Sequence, residues 1–232
     1  KDRVYPKRNL SATKIWDESL KCLCELHCQN KSQAFVKGCY KALSKNLQGN
    51  ELEFSGFQKR SFEQIFSEYN SGNSSATVIC SGTGSGKTKA FYLPAFLRVA
   101  EEVSIDPTPY TKIIAIYPRN VLLADQLREA LSELEKLRPI LEENKFRSVT
   151  LGALLGSTPK EAWFKTNTQK RSWYWKERPG GHVIPYLVSP EDNKSDLIWR
   201  EDDRKKGRTS LYRIGEKNPD VPDKVLRITR EQ

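Results

Sequence analysis

The chain has 232 residues, of which 37% are hydrophobic and 10% aromatic, enough to bury one full core and a small second unit, so disorder throughout is excluded. It has no run of eighteen or more apolar residues, which excludes a membrane-spanning helix, and its start, KDRVYPKRNL, has neither an apolar signal region nor an initiator Met, as expected for a piece of a longer protein. The net charge of +10 is uneven: residues 1–50, 51–158 and 159–232 carry +6, −1 and +5, a near-neutral middle between basic flanks that fits contact with a polyanion such as nucleic acid and equally fits a solvated lysine-rich surface.

Residues 11–45 read as two helices. Ser11 is placed to cap the first, and Ile15, Trp16, Leu20, Leu23 and Leu26 recur at helical spacing as one apolar stripe. Cys22, Cys24, His27 and Cys28 suggest zinc, but at 100° per residue the cysteines point to different sides of one helix, which favours structural cysteines. Five cysteines, an odd number in a chain of this size, fit a reducing, cytoplasmic setting.

The middle segment alternates apolar runs with helical patterns. Residues 76–80 (ATVIC) predict a strand, residues 81–86 a glycine-rich loop, and residues 87–103 a helix that Pro94 should kink or shorten. A second run, Ile113 to Tyr117, leads through Pro118 into a helix from about Asn120 to Leu137, ending near Pro139, and a third run spans Ser148 to Leu155. Non-alternating strands interleaved with helices predict an α/β fold with a parallel sheet covered on both faces. Beyond Pro159 the periodicity dissolves into an aromatic and basic stretch, read as an insertion. Its Trp163, Trp173, Tyr174 and Trp175 suit a small core of their own better than stacking on single-stranded bases. Asp223 to Thr229 suggests one more strand. The chain thus divides into a helical accessory segment (1–50), a core (51–158) and an insertion (159–232).

SGTGSGKT, residues 81–88, is the chemical centre of this pattern. Backbone N–H groups of Thr83, Gly84, Ser85 and Gly86 can converge on phosphate oxygens at the positive end of a helix. Lys87 adds a full charge for the β- and γ-phosphates, and the Thr88 hydroxyl is placed to ligate Mg2+. The general form G-x-x-x-x-G-K-[ST] is not strictly met, because Ser81 stands at its first glycine.

That departure, in the form [AS]-x-T-G-S-G-K-T, resembles motif I of superfamily 2 DEAD/DEAH-like helicases and translocases. Phe57-Gln58 resembles the adenine-recognition dipeptide of that superfamily; an amide both donates and accepts, which matches N6 and N7 of adenine. Ala90 to Pro94 resembles the run after motif I. Tyr117-Pro118-Arg119-Asn120 with Ala124-Asp125-Gln126 resembles motif Ia, whose Arg119 and Asn120 would then touch nucleic-acid phosphates, and the terminal segment with Thr229 resembles the start of motif Ib. The YP…DQ form is most similar to the large prokaryotic antiviral-defence helicases of the DISARM and Druantia kind. The resemblance implies the first part of a RecA-like ATPase domain, ATP and Mg2+ as cofactors, nucleic acid as partner with DNA favoured over RNA, and other defence-system subunits as further partners. It also implies a D-E-x-[HD] motif for hydrolysis. After Thr88 no such tetrapeptide occurs; Glu201-Asp202-Asp203-Arg204 is acidic but is not read as following an apolar strand, so these residues should not hydrolyse ATP efficiently alone. Two other readings stay open, a different P-loop motor and a non-catalytic nucleic-acid-binding module with a vestigial nucleotide site.

Overall fold

The computed structural model describes residues 7–23, 30–46, 48–70, 74–82, 84–155, 158, 175–192 and 194–229, in two compact units: 1–113 with 136–147, and 114–135 with 148–232.

In the first unit, β1 (Arg8–Ser11) pairs antiparallel with β2 (Glu53–Ser55), Arg8 opposite Ser55. Ser11 then caps α1 (Ala12–Ile15) as its sequence position predicts. Its backbone is extended and its hydroxyl accepts the Lys14 N–H at 3.2 Å, satisfying a donor the helix start leaves open. A π-turn, Trp16–Leu20, continues the helix, and Ile15, Trp16 and Leu20 are buried. The helix α2 (Asn30–Leu43) buries Phe35, Val36, Cys39, Tyr40 and Leu43, a single helical face. The Tyr40 ring lies 5.1 Å from that of Trp16 and its hydroxyl donates to the Ala12 carbonyl at 2.9 Å, so the accessory segment closes on itself. Burial pushes the Cys39 thiol up to about 12, the behaviour of an inert core cysteine. Cys24, His27 and Cys28 lie outside the described residues, as does Leu26.

The helix α3 (Gly56–Asn70) follows β2 directly, and both α3 and α2 pack against α4 (Lys87–Ile105). Phe54 meets Phe62 edge-on at 5.2 Å beneath this layer. Pro94 lies inside α4, which is not shortened by it. The helix α5 (Asn120–Glu143) likewise passes through Pro139, correcting the expected end there: a proline removes one backbone hydrogen bond, and fully buried Leu137 and Leu141 on either side hold the next turn in place.

Two predicted strands do not form. Residues 76–80 and 113–117 have no ladder partner among the described residues, and most of their apolar side chains are exposed, Val78 at 82% and Ile116 at 88%. A strand exists through its neighbour's hydrogen bonds, and no described segment supplies them here. The parallel element that does form joins β3 (Leu151–Gly152) to β8 (Leu226–Arg227), Leu151 opposite Leu226, where the sequence suggests strands at 148–155 and 223–229. The architecture is mixed helix and strand, compatible with a RecA-like domain.

The second unit also contains the region where no period was legible. It holds an antiparallel meander, β4 (Glu177–Arg178), β5 (Gly181–Val188), β6 (Asp196–Arg200) and β7 (Leu211–Arg213), in that spatial order. Its core is Ile184, Leu187, Leu197, Ile198, Trp199 and Leu211, with Trp175 edge-on to Tyr186 at 6.0 Å. Trp175 is therefore a core ring; Trp163, Trp173 and Tyr174 lie outside the described residues. Gly181 is required by close approach, because a Cβ there would overlap the Trp199 carbonyl oxygen.

Candidate nucleotide-binding site

The geometry begins with Gln58, two residues into α3 and 2% exposed. Its Oε1 accepts both the backbone N–H of Ser55, at 2.9 Å, and the Ser55 hydroxyl, at 3.0 Å. A backbone N–H can only donate, so the amide orientation is fixed, and Nε2 donates outward to the Gly86 carbonyl at 3.0 Å. The side chain ties the end of β2 to the last glycine of the 81–88 loop. In this arrangement the acceptor is occupied by Ser55, and one N–H remains to offer a base. Phe57 beside it is half-buried, its carbonyl accepting the Ser61 hydroxyl at 2.9 Å.

Gly86 needs to be glycine. It sits at φ +87° at the N-cap of α4, and a Cβ on it would come within 2.7 Å of Gln58 Nε2 and 3.0 Å of an Arg8 guanidinium nitrogen. Gly84 is also left-handed, at φ +79°. Between them Ser85 is 3% exposed, and its hydroxyl has no hydrogen-bond partner among the described residues. A buried orphan oxygen at a helix start fits a loop that closes around a polar ligand. Thr83 lies outside the described residues.

Lys87 opens α4, and its ammonium folds back to donate to the Ser81 carbonyl at 2.7 Å and the Gly82 carbonyl at 2.8 Å. Its charge is thereby held across the loop mouth. Thr88 follows, half-buried, in the first turn, where helix N–H groups are free of intrahelical partners. Lys87, Thr88, Gly84, Ser85 and Gly86 are brought together; Gln58 joins them through Gly86.

The residues assigned to nucleic acid lie in the second unit. Arg119 is exposed just before α5, its carbonyl accepting the Leu123 N–H at 3.0 Å, and Asn120 is the exposed first residue of that helix. Thr229 is 6% exposed. The acidic run 201–204 corrects its sequence reading: it does follow an apolar strand, since Leu197, Ile198 and Trp199 of β6 are buried and Glu201–Lys205 forms a short helix, α6, immediately after. That strand belongs to an antiparallel meander, however, and the buried Asp203 carboxylate is taken by the Arg208 guanidinium at 2.6 Å from Nε. No cluster of three metal-ligating side chains occurs among the described residues, and none of their helices is long and apolar enough to cross a membrane. Sequence reasoning missed Ser55 and Arg8. Arg8 had no motif to mark it, and Ser55 was visible only as a residue three before the glutamine.

Comparison with known proteins converges on the same stretch. Residues 55–167 match the DEAD/DEAH box helicase family, beginning at the serine that holds Gln58. The chain is 35% identical over 109 residues to the Druantia protein DruE of Escherichia coli, covering 44% of this chain and 6% of that protein. It is 32% identical over 99 residues to the ATP-dependent RNA helicase dbp-9 of Neurospora crassa, covering 37% of this chain and 14% of that one. The chain therefore spans a small fraction of these relatives' length. No solved structure matches it.

Proposed function

We propose that this helicase-family chain carries the nucleotide-gripping part of an ATP-dependent nucleic-acid helicase or translocase, with residues 51–158 as the first part of its RecA-like domain. The observation that carries the reading is the joint at Gly86, where the helix start, the left-handed loop and the Gln58 amide meet. In this reading Gly84, Ser85 and Gly86 present their amides to the β-phosphate, and the orphan Ser85 hydroxyl gains a partner. Lys87 leaves the Ser81 and Gly82 carbonyls for the β- and γ-phosphates, because an ionised phosphate oxygen is a stronger partner for ammonium than a neutral carbonyl. The Thr88 hydroxyl holds Mg2+, which when bound supplies charge neutralisation for phosphoryl transfer. Gln58 offers its remaining N–H to the base.

Arg119 and Asn120 are assigned to nucleic-acid phosphates, as an exposed cation beside exposed helix N–H groups, with Thr229 as a further contact. DNA as the substrate and a role in antiviral defence with partner subunits are assigned from the resemblance of the YP…DQ segment to defence helicases, a reading that the similarity to the Druantia protein DruE supports, and a cytoplasmic setting from the cysteine usage. The acid that orients the attacking water is assigned to sequence outside this chain, given that Asp203 is engaged by Arg208.

The test is Lys87→Ala. ATP affinity, read by a fluorescent analogue, should fall by about tenfold or more, the scale of a lost charge-assisted contact, with circular dichroism unchanged. Undiminished affinity overturns the nucleotide assignment.

A further inference from the structure

A second cation reaches the loop from an element that no motif assigns to it. We propose that Arg8 is a phosphate-binding residue of the nucleotide site, supplied by the N-terminal strand; this rests on the nucleotide reading above. Arg8 stands in β1 opposite Ser55, the same serine that fixes Gln58, so the β1–β2 ladder sets its backbone beside the start of α3. From there one guanidinium nitrogen comes to 3.0 Å from where a Cβ of Gly86 would be, flanking the helix N-cap next to the Gln58 amide. Arg8 is exposed, and while its backbone belongs to the ladder its guanidinium has no ion pair or hydrogen bond among the described residues, so its donors are available.

The charges are arranged to bracket the loop. Lys87 is held at the Ser81 and Gly82 end, Arg8 at the Gly86 end, and between them lies the buried Ser85 hydroxyl with no described partner. Two cations at opposite ends of the loop, with a helix start and an orphan hydroxyl between them, call for a multiply charged anion, and a polyphosphate chain is long enough to engage both cations. A planar guanidinium offers paired N–H donors to phosphate oxygens, a fit that an uncharged nucleoside does not exploit. The accessory segment would then be part of the ligand site, its order coupled to nucleotide occupancy.

Arg8→Ala and Arg8→Gln test this by displacement of a fluorescent ATP analogue with ATP, pyrophosphate and adenosine, alongside Lys87→Ala. Both Arg8 variants should weaken ATP and pyrophosphate roughly tenfold, as expected for one charge-assisted contact, and leave adenosine unchanged; Arg8→Lys should recover part of the loss. The ladder is made by backbone groups, so these variants keep β1, which circular dichroism checks. Unchanged ATP affinity in both, or an equal loss for adenosine, overturns the assignment. If Lys87→Ala weakens binding and the Arg8 variants do not, Arg8 alone is refuted; if none of the variants weakens it, the nucleotide reading falls as well.

Discussion

Gly86→Ala is the sharpest perturbation of the loop. The residue sits at φ +87°, where an L side chain costs about 1–2 kcal/mol. The new methyl would also lie 2.7 Å from Gln58 Nε2, and Gln58 cannot simply swing aside, because its oxygen is held by two donors from Ser55 and the side chain is 2% exposed. Forcing the amide off the Gly86 carbonyl forfeits a hydrogen bond and strands a buried donor, about 1–2 kcal/mol more. Together these come to roughly 2–4 kcal/mol, or about 30- to 700-fold in an equilibrium constant. If the loop keeps its shape, the cost appears in the urea unfolding free energy; if the loop yields, it appears as lost ATP affinity. The paired measurement is a urea melt and a titration with a fluorescent ATP analogue on the same preparation. An alanine variant that matches the parent in both, within threefold in affinity and 0.5 kcal/mol in stability, a margin ordinary for surface substitutions, would refute the argument that Gly86 and Gln58 form one joint.

Two further predictions concern the second unit. His182 is held below its ordinary value by burial first and the Arg204 charge second, against smaller opposite pulls from Glu177 and Glu201. The unfolded chain therefore binds the proton more readily, so the contribution is fully present above about pH 6.5. It is lost as pH falls through the depressed folded value; the urea midpoint of the parent should drop on acidification more than that of His182→Gln, and an NMR titration should place His182 below 6.5. Trp199 is fully buried and its indole N–H donates to the Arg208 carbonyl at 2.8 Å. Trp199→Phe removes that bond and leaves a void, costing about 1–3 kcal/mol in denaturant, and a loss under 0.5 kcal/mol would show that β6 does not organise the meander.

Where local chemistry decides structure, the sequence was readable. Ser11 before an apolar stripe predicts a cap, and it is one; the helical pattern that follows the glycine-rich loop places Lys87 and Thr88 at a helix start, as observed. Strand formation at 76–80 and 113–117 was not decidable in this way, because an apolar β-prone run states a preference while pairing is conferred by neighbours distant in sequence. The helix runs past Pro139 because Leu137 and Leu141 are buried on either side of it, and that burial, unlike the proline signal, depends on tertiary packing that the local sequence does not encode. The strand β6 was hidden by its company: five residues, charged at both ends and followed by EDDRK, show no alternation, although three of them form the centre of a sheet. Gln58 was singled out for its capacity to meet a base, but its tie to Ser55 and Gly86 depends on a backbone geometry that composition does not encode.

The exposed isoleucines at 114 and 116 decide how the chain behaves in a tube. Ile114 and Ile116 stand 78% and 88% exposed on a β-prone segment that joins no ladder among the described residues, the makings of a template for another copy's strand. Attraction of this kind is short-ranged and grows with crowding, whereas the repulsion from a net charge of +10 is long-ranged and fades as salt screens it. The isolated chain is therefore a colloid with opposed forces, dispersed in dilute low-salt buffer and self-associating as protein and salt rise together.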